Sequence, residues 1–249
     1  RRHDPGRSGS IDRDLARMSE TPPDSARPDR EPIPVEVRRV GPDDFAAIEA
    51  LCRVVYPQVP PWTDDYLRSH LLVFPEGQFA AVDPASQRLL GYAATMVVRW
   101  DDFEHLVSWN TITAGGTFST HNPEGETLYA AEVMVDAACR GRGVGKAIYA
   151  ARRQLLQRLG LGRIRAGSRL RGYAKHADAL TPEQYVEKVV AGELYDPTLT
   201  FQLRQGFRVI GVVQRYLGGD PESLGHAALI EWRPDPAPTS PAEPPGPER

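Results

Sequence analysis

The sequence predicts one α/β domain, a sheet of about seven strands flanked by helices, with two insertions and a polar tail at each end. Three observations carry this. The run from Glu126 to Leu159 reads as strand, glycine-rich turn and helix. Strand-like and helix-like runs alternate on both sides of it, from Val35 to Trp232. Residues 1–33 and 234–249 are rich in Pro, Arg, Asp and Ser and hold hardly any large apolar residue, so they cannot bury enough surface to offset their ordering entropy. The domain is therefore placed at 34–233, between two tails expected to be disordered, with Met18 a candidate initiator.

In chain order, Val35 to Val40 is the first strand. Gly41-Pro42-Asp43-Asp44 opens a helix, with proline at its first position and acids in its first turn. Ile48, Leu51, Cys52 and Val55 form its apolar stripe, and Pro57, Pro60 and Pro61 end it. Thr63 to Leu72 reads as a second helix. Gln78 to Val82 and Leu89 to Trp100 pair as a hairpin around Asp83-Pro84-Ala85-Ser86. Asp101 to Gly125 is an inserted excursion, read with two short strands. Leu128 to Val135 is a strand with few charges, as in the middle of a sheet. The following helix repeats Val144, Ile148, Ala151, Leu155 and Leu159, with Arg152, Arg153, Gln157 and Arg158 between them. Arg163 to Gly167 is the fifth strand. Leu170 to Asp196 is a second insertion, whose short helix starts on the capping box Thr181-Pro182-Glu183-Gln184 and stops at Gly192. Asp196-Pro197 caps a helix ending at Gly206, and Phe207 to Val213 and Ala227 to Trp232 are the last strands.

The chain is 41% hydrophobic and 25% charged, with a net charge of −3, which favours neither nucleic acid nor another polyanion as partner. No apolar run reaches the length of a membrane span. Cys52 and Cys139 form no CxxC pair and suit a reducing compartment, so a cytoplasmic location is expected. No His/Cys/Asp cluster has metal-ligand spacing, so no metal is expected.

The turn Arg140-Gly141-Arg142-Gly143-Val144-Gly145-Lys146 is either a phosphate cradle or a tight turn on a basic surface. The first amides of a helix lack partners and carry partial positive charge, and glycine lets an anion approach them. Two nucleotide motifs fail. A P-loop would need glycine where Arg140 stands and a hydroxyl where Ala147 stands; G-x-G-x-x-G meets Lys146 or Ile148 at its third glycine.

R-x-x-G-x-G, as Arg140, Gly143 and Gly145 after Val133-Met134-Val135, resembles the acetyl-CoA-binding motif of the GNAT superfamily of N-acyltransferases. The order β-α-α-β-β-β-α-β-α-β-β is similar to the whole GNAT fold over about 35–233, which implies a mixed, mostly antiparallel sheet. Thr120–Gly125, Tyr185–Pro197 and Phe201–Phe207 further resemble GNAT domains fused to carbon–nitrogen hydrolase domains, although no hydrolase domain is read in this chain. The resemblance implies acetyl-CoA as co-substrate and a small-molecule or peptide amine as acceptor. Backbone amides from Gly141 to Lys146, including Val144, would hold the pyrophosphate with Arg140 and Arg142, and Val133, Met134 and Val135 would pair with pantetheine. It leaves a homodimer open.

The chain departs from the family at Gln202, where many members carry a tyrosine that protonates the leaving thiolate. Tyr173 and Tyr195 are substitutes, or else packing tyrosines. His121 and His176 are bases near neutral pH, or else structural histidines. Glu132, the one charge between Thr127 and Val135, is either the general base that deprotonates the amine or the partner of an arginine such as Arg165 or Arg169. Arg169 and Arg171 follow the fifth strand, where the resemblance implies that substrates enter, either to bind an acidic group on the acceptor or the CoA phosphates, or to form a solvated basic edge. Three functions remain: an acyl-CoA-dependent N-acyltransferase, a catalytically weak acyl-CoA-binding sensor or scaffold, and a nucleotide-phosphate-binding protein of another fold, which the failed motifs disfavour.

Overall fold

β-Branched and aromatic runs bounded by turn residues build the sheet first, and amphipathic helices then cover its two faces. The structure is a computed structural model describing residues 30–104 and 106–234; the tails read at 1–33 and 234–249 lie almost wholly outside these, as does Met18. The strands are β1 (Glu36–Arg39), β2 (Gln78–Val82), β3 (Leu89–Val98), β4 (Thr127–Val135), β5 (Arg163–Arg169), β6 (Arg208–Val213) and β7 (Ala227–Trp232). They form one seven-stranded sheet in the order β1-β2-β3-β4-β5-β7-β6. Every neighbouring pair is antiparallel except β4 and β5, so the sheet is mixed and mostly antiparallel, as expected.

Six helices accompany it among the described residues: α1 (Phe45–Val55), α2 (Asp64–Val73), α3 (Trp109–Ile112), α4 (Val144–Arg158), α5 (Pro182–Val190) and α6 (Leu199–Arg204). Strand alternation sends Ala94 and Met96 to one face and Ala93 and Val97 to the other. On the first face they meet Ile48, Leu51 and Cys52 of α1, Leu67 of α2, and Ile112 and Phe118 of the first insertion. On the second they meet Val144, Ile148, Leu155 and Leu156 of α4, Tyr185 and Val189 of α5, and Leu199 of α6. A buried leucine or isoleucine of this kind stabilises by about 1.5–3 kcal/mol, so truncating Ile148 would open a cavity under the middle of the sheet.

Three sequence readings are corrected. Among its described residues the first insertion holds no strand; it is a 3-10 turn at Trp100–Asp102, the single turn of α3 and further turns. Its Trp109, Val107 and Phe118 find their place by tertiary packing, which local pattern does not encode. Leu159, which caps the end of α4, is exposed at 42%, whereas Arg152 is fully buried and takes the core position between Ile148 and Leu155. Pro42–Asp44 is a 3-10 turn leading into α1 rather than its first turn; Gly41 donates to Asp44 Oδ2 at 2.8 Å, and Asp44 also holds Arg38.

Candidate active site on the unpaired half of strand β4

β4 and β5 pair only from Thr127–Tyr129 to Arg163–Arg165; beyond that, β5 continues beside β7 while β4 runs on alone along that edge. On its other edge β4 carries a bulge: Ala130 faces Thr95 and Glu132 faces Ala94, so Ala131 is the extra residue. A bulge re-aims the side chains around it. Ala131 packs into the α1–α2 face, and Glu132 turns to the same side. Met134 is buried on that face, and Val133 and Val135 pack towards α4. The carbonyls here are held from outside the sheet. Trp109 Nε1 of the first insertion donates to Ala131 O at 2.9 Å, Arg152 of α4 donates to Glu132 O, and Arg140 Nε donates to Val135 O at 3.3 Å.

The Glu132 carboxylate accepts from the Tyr56 hydroxyl at 2.8 Å and from the Val133 amide at 2.9 Å, both on Oε1. The Trp62 side chain adds a further donor interaction. Burial raises the carboxyl's pKa, against the opposing pull of these donors and of the Arg152 charge. A carboxylate so placed has lone pairs left and a raised affinity for a proton, the combination a general base requires. The arginines read as its alternative partners are engaged elsewhere: Arg165 with Glu231 at 2.8 Å, and Arg169 with Asp220 and Glu222. Arg171 also pairs with Glu222, at 3.2 Å, so the expected basic edge after β5 is largely neutralised. Arg169 lies over the Tyr56 ring, 5.6 Å from its centroid.

The glycine turn leads from β4 into α4. Gly143, the helix N-cap, has φ +94°, a conformation that favours glycine, and no side chain caps the helix start. A Cβ at Gly141 or Gly143 would meet nothing within 4 Å, so the space in front of these residues is open. A helix start whose N-cap glycine offers no capping side chain, the open space at Gly141 and Gly143 and the flanking Arg140 and Arg142 fit an anion such as a pyrophosphate. Arg142 Nε donates to Glu31 O at 3.2 Å, and Ile33 N donates to Arg142 O at 3.2 Å, so the segment just before β1 steadies this loop. Gly145 serves packing instead: a Cβ there would sit 2.9 Å from the Phe201 ring of α6. The Val144 side chain is core, so only its backbone faces the turn.

The other residues singled out make their contacts with groups other than Glu132. Tyr173 is buried and donates to Leu180 O at 3.0 Å within the second insertion. The His176 ring rests against Tyr185, 5.4 Å between centroids, and Tyr195 is half exposed. His121 Nδ1 accepts from Val97 N at 3.1 Å, and its ring stacks on Phe74. Gln202 is buried and donates to the Tyr149 hydroxyl at 2.8 Å. Sequence reading missed Tyr56, Trp62 and Arg152. The spacing 144-148-152-155 was the available signal for Arg152; nothing local marks Tyr56 or Trp62, which sit among prolines in a connecting loop. Among the described residues, no group of three or more His, Cys, Asp or Glu could hold a metal ion.

A mixed sheet whose fourth and fifth strands part beside an uncapped, glycine-led helix defines an acyltransferase-type fold, and comparison with known proteins agrees. The model of the acetyltransferase (GNAT) family matches residues 48–176, and the chain belongs to that family. It is 35% identical over 178 residues to the uncharacterized N-acetyltransferase YkwB of Bacillus subtilis, covering 72% of this chain and 77% of YkwB. It is 36% identical over 196 residues to the probable hydrolase YhcX of the same organism; that match covers 79% of this chain but spans only 38% of YhcX. Among solved structures, the fold is similar to the GphF GNAT-like decarboxylase in complex with isobutyryl-CoA, with a TM-score of 0.63 and 22% identity over 80% of this chain and 98% of that one. It is likewise similar to the loading GNATL domain of CurA from Lyngbya majuscula, with a TM-score of 0.67 and 17% identity over the same shares. No helix among the described residues is long and apolar enough to cross a membrane.

Proposed function

We propose that the protein transfers an acyl group, acetyl in the simplest case, from CoA to a small-molecule or peptide amine by direct attack in a ternary complex. The observation that carries this reading is the position of Glu132, a partly buried carboxylate at a bulge on the stretch of β4 that β5 no longer pairs with. The free edge at Val133–Val135 can pair with pantetheine as a neighbouring strand would. The amides from Gly141 to Lys146, with Arg140 and Arg142, suit the pyrophosphate.

An alkylamine has a pKa of about 10 and is almost all ammonium near neutral pH, so it must lose a proton before it can attack. Glu132 takes that proton. The amine nitrogen bonds to the thioester carbon, the carbon–sulfur bond breaks, and the thiolate leaves. The Gln202 carboxamide is too weak an acid to protonate a thiolate, so water supplies the thiolate's proton in this reading.

Gln202 also favours a second reading, a catalytically weak module that binds acyl-CoA as a sensor or scaffold. Stabilisation by acetyl-CoA and CoA but not by ATP or NAD is expected under both readings, since a ligand of the folded state raises its stability by mass action. Thiol release over a panel of amines separates the two. Under the catalytic reading, Glu132→Gln lowers kcat by about 10²-fold with acetyl-CoA affinity nearly unchanged. A folded Glu132→Gln protein with wild-type kcat at all pH values removes Glu132 from the mechanism.

A further inference from the structure

Arg152 lies in the middle of α4, at a position whose neighbours along the stripe are Ile148 and Leu155, yet its side chain is fully buried. A buried guanidinium costs several kcal/mol unless its hydrogen-bonding capacity is used. Its Nε donates to Thr95 Oγ1 at 3.1 Å, and its Nη2 donates to Ala94 O at 3.1 Å and also to Glu132 O. Ala94 and Glu132 are the paired residues on one flank of the bulge, and Thr95 lies on the other. One planar fork thus ties the two strands together where the ladder is broken. Its carbon sits 5.3 Å from the Tyr149 ring centroid, a contact that offsets part of the burial cost.

We infer that Arg152 is a positioning residue for Glu132: from the far side of the sheet it fixes the bulge that aims the carboxylate at Tyr56. The inference rests on the reading of Glu132 as the base. A bulge disrupts the ladder locally, and the Ala94 and Glu132 carbonyls beside this one share the Arg152 donor instead. Arginine suits the task better than lysine, because a rigid fork can serve two strands at once. The groups facing Glu132 come from several elements: Cys52 and Tyr56 at the end of α1, Trp62 before α2, Tyr92 of β3, Tyr216 after β6 and Arg152 of α4. Arg169 of β5 reaches the cluster through the Tyr56 ring. Of these, Arg152 is the cation that acts on the carboxyl directly, and it opposes the upward shift that burial imposes.

The test reads the carboxyl itself. Carbon-13 NMR of carboxyl-labelled protein, with the Glu132 signal assigned by its loss in Glu132→Gln, gives the titration without reference to catalysis. Arg152→Met keeps the volume and removes the charge; it is expected to move the Glu132 titration up by about one pH unit or more, and the acidic limb of kcat/KM with it. Arg152→Lys keeps a charge and loses the fork. The Lys variant is expected to titrate near the wild-type position but with kcat down about tenfold and KM for acetyl-CoA unmoved, since transition-state geometry alone is disturbed. A Glu132 signal that titrates at the same pH in folded Arg152→Met overturns the inference. If the Met variant does not fold, an Arg152→Lys enzyme with wild-type kcat and pH profile overturns it. A normal kcat in Glu132→Gln would instead sink the reading of Glu132 as base, a result separate from either.

Discussion

The two insertions differ in what they do for the strand that carries Glu132. The first, between β3 and β4, reaches into the site. Trp109 caps the carbonyl of the bulge residue Ala131, and Gly116 O receives a hydrogen bond from His70, whose other ring nitrogen meets the Tyr92 hydroxyl at 3.2 Å. The second, between β5 and α6, is organised around its own buried carboxylate. Asp196 accepts from the amides of Gly172, Thr198 and Leu199 and from the Tyr185 hydroxyl, at 2.8–3.0 Å. Its aromatic residues Tyr173 and Tyr185 pack edge to face and join the α4 core. One insertion therefore touches the strand beside Glu132, and the other is held together around Asp196. The sequence singles out His121 in the first and Tyr173, His176 and Tyr195 in the second.

The largest expected effect breaks the second insertion. Asp196→Ala strands four donors, of which the Leu199 amide and the Tyr185 hydroxyl are buried and the other two partly so, and each unsatisfied buried donor costs about 1–3 kcal/mol. A loss of at least about 3 kcal/mol in denaturant unfolding is expected, allowing for partial relaxation. Acetyl-CoA affinity in the remaining folded protein should be unchanged. A loss below about 1 kcal/mol would mean that this insertion does not depend on Asp196.

The next effect concerns the first insertion and is read through pH. The His70 ring is buried, stacked on Phe118 at 3.8 Å, and its pKa is lowered from 6.5 to about 4, chiefly by burial. A histidine whose folded pKa is depressed is neutral in both states above pH 6.5, so its full contribution is present there. As pH falls from 6.5 to about 4 the unfolded chain takes up the proton and the folded one resists, so stability is lost over that window. At about 1.4 kcal/mol per unit, that amounts to about 3 kcal/mol. Unfolding free energies measured at pH 7 and pH 4 should differ more in the wild type than in His70→Gln, by roughly this amount. Equal pH dependence in the two proteins would contradict the assignment.

How far these differences were legible in the sequence follows from how each feature is encoded. Strand and helix positions were written locally, in alternation, caps and glycine stops: Thr181 and Gln184 form the capping box read from their spacing, and β2 and β3 flank the hairpin turn as placed. The glycine turn was legible because φ +94° at Gly143 and the close approach of Phe201 at Gly145 demand glycine in sequence. Glu132 was legible as a lone charge in an apolar strand. Its partners were not, because Tyr56 is 76 positions away and Arg152 reaches through the sheet from the opposite face. A buried arginine looks like an ordinary surface residue until the strand carbonyls it serves are in place. The first insertion was misread for the same reason: its order comes from Trp62, His70 and the exposed carbonyl of a bulge, all outside it.

The smallest effect sharpens the comparison most, because it removes one hydrogen bond from each insertion. Trp109→Phe keeps a ring against Trp62 but loses the donor to Ala131 O, and Tyr185→Phe keeps its ring but loses the donor to Asp196 Oδ2. A single hydrogen bond contributes about 1 kcal/mol net, so both variants should lose similar stability. They should part in activity. Ala131 is the extra residue of the bulge, and freeing its carbonyl lets the chain beside Glu132 shift; a displacement of a few tenths of an ångström there is expected to lower kcat about threefold to tenfold. Tyr185→Phe disturbs a cluster built around Asp196 and Tyr173 rather than Glu132, and its kcat should stay within about twofold of wild type. Steady-state kinetics at saturating acetyl-CoA, beside denaturant unfolding of the same preparations, reads both quantities. Equal kcat losses in the two variants would show that the insertions act on the site alike, and a Trp109→Phe enzyme with full activity would confine Trp109 to packing.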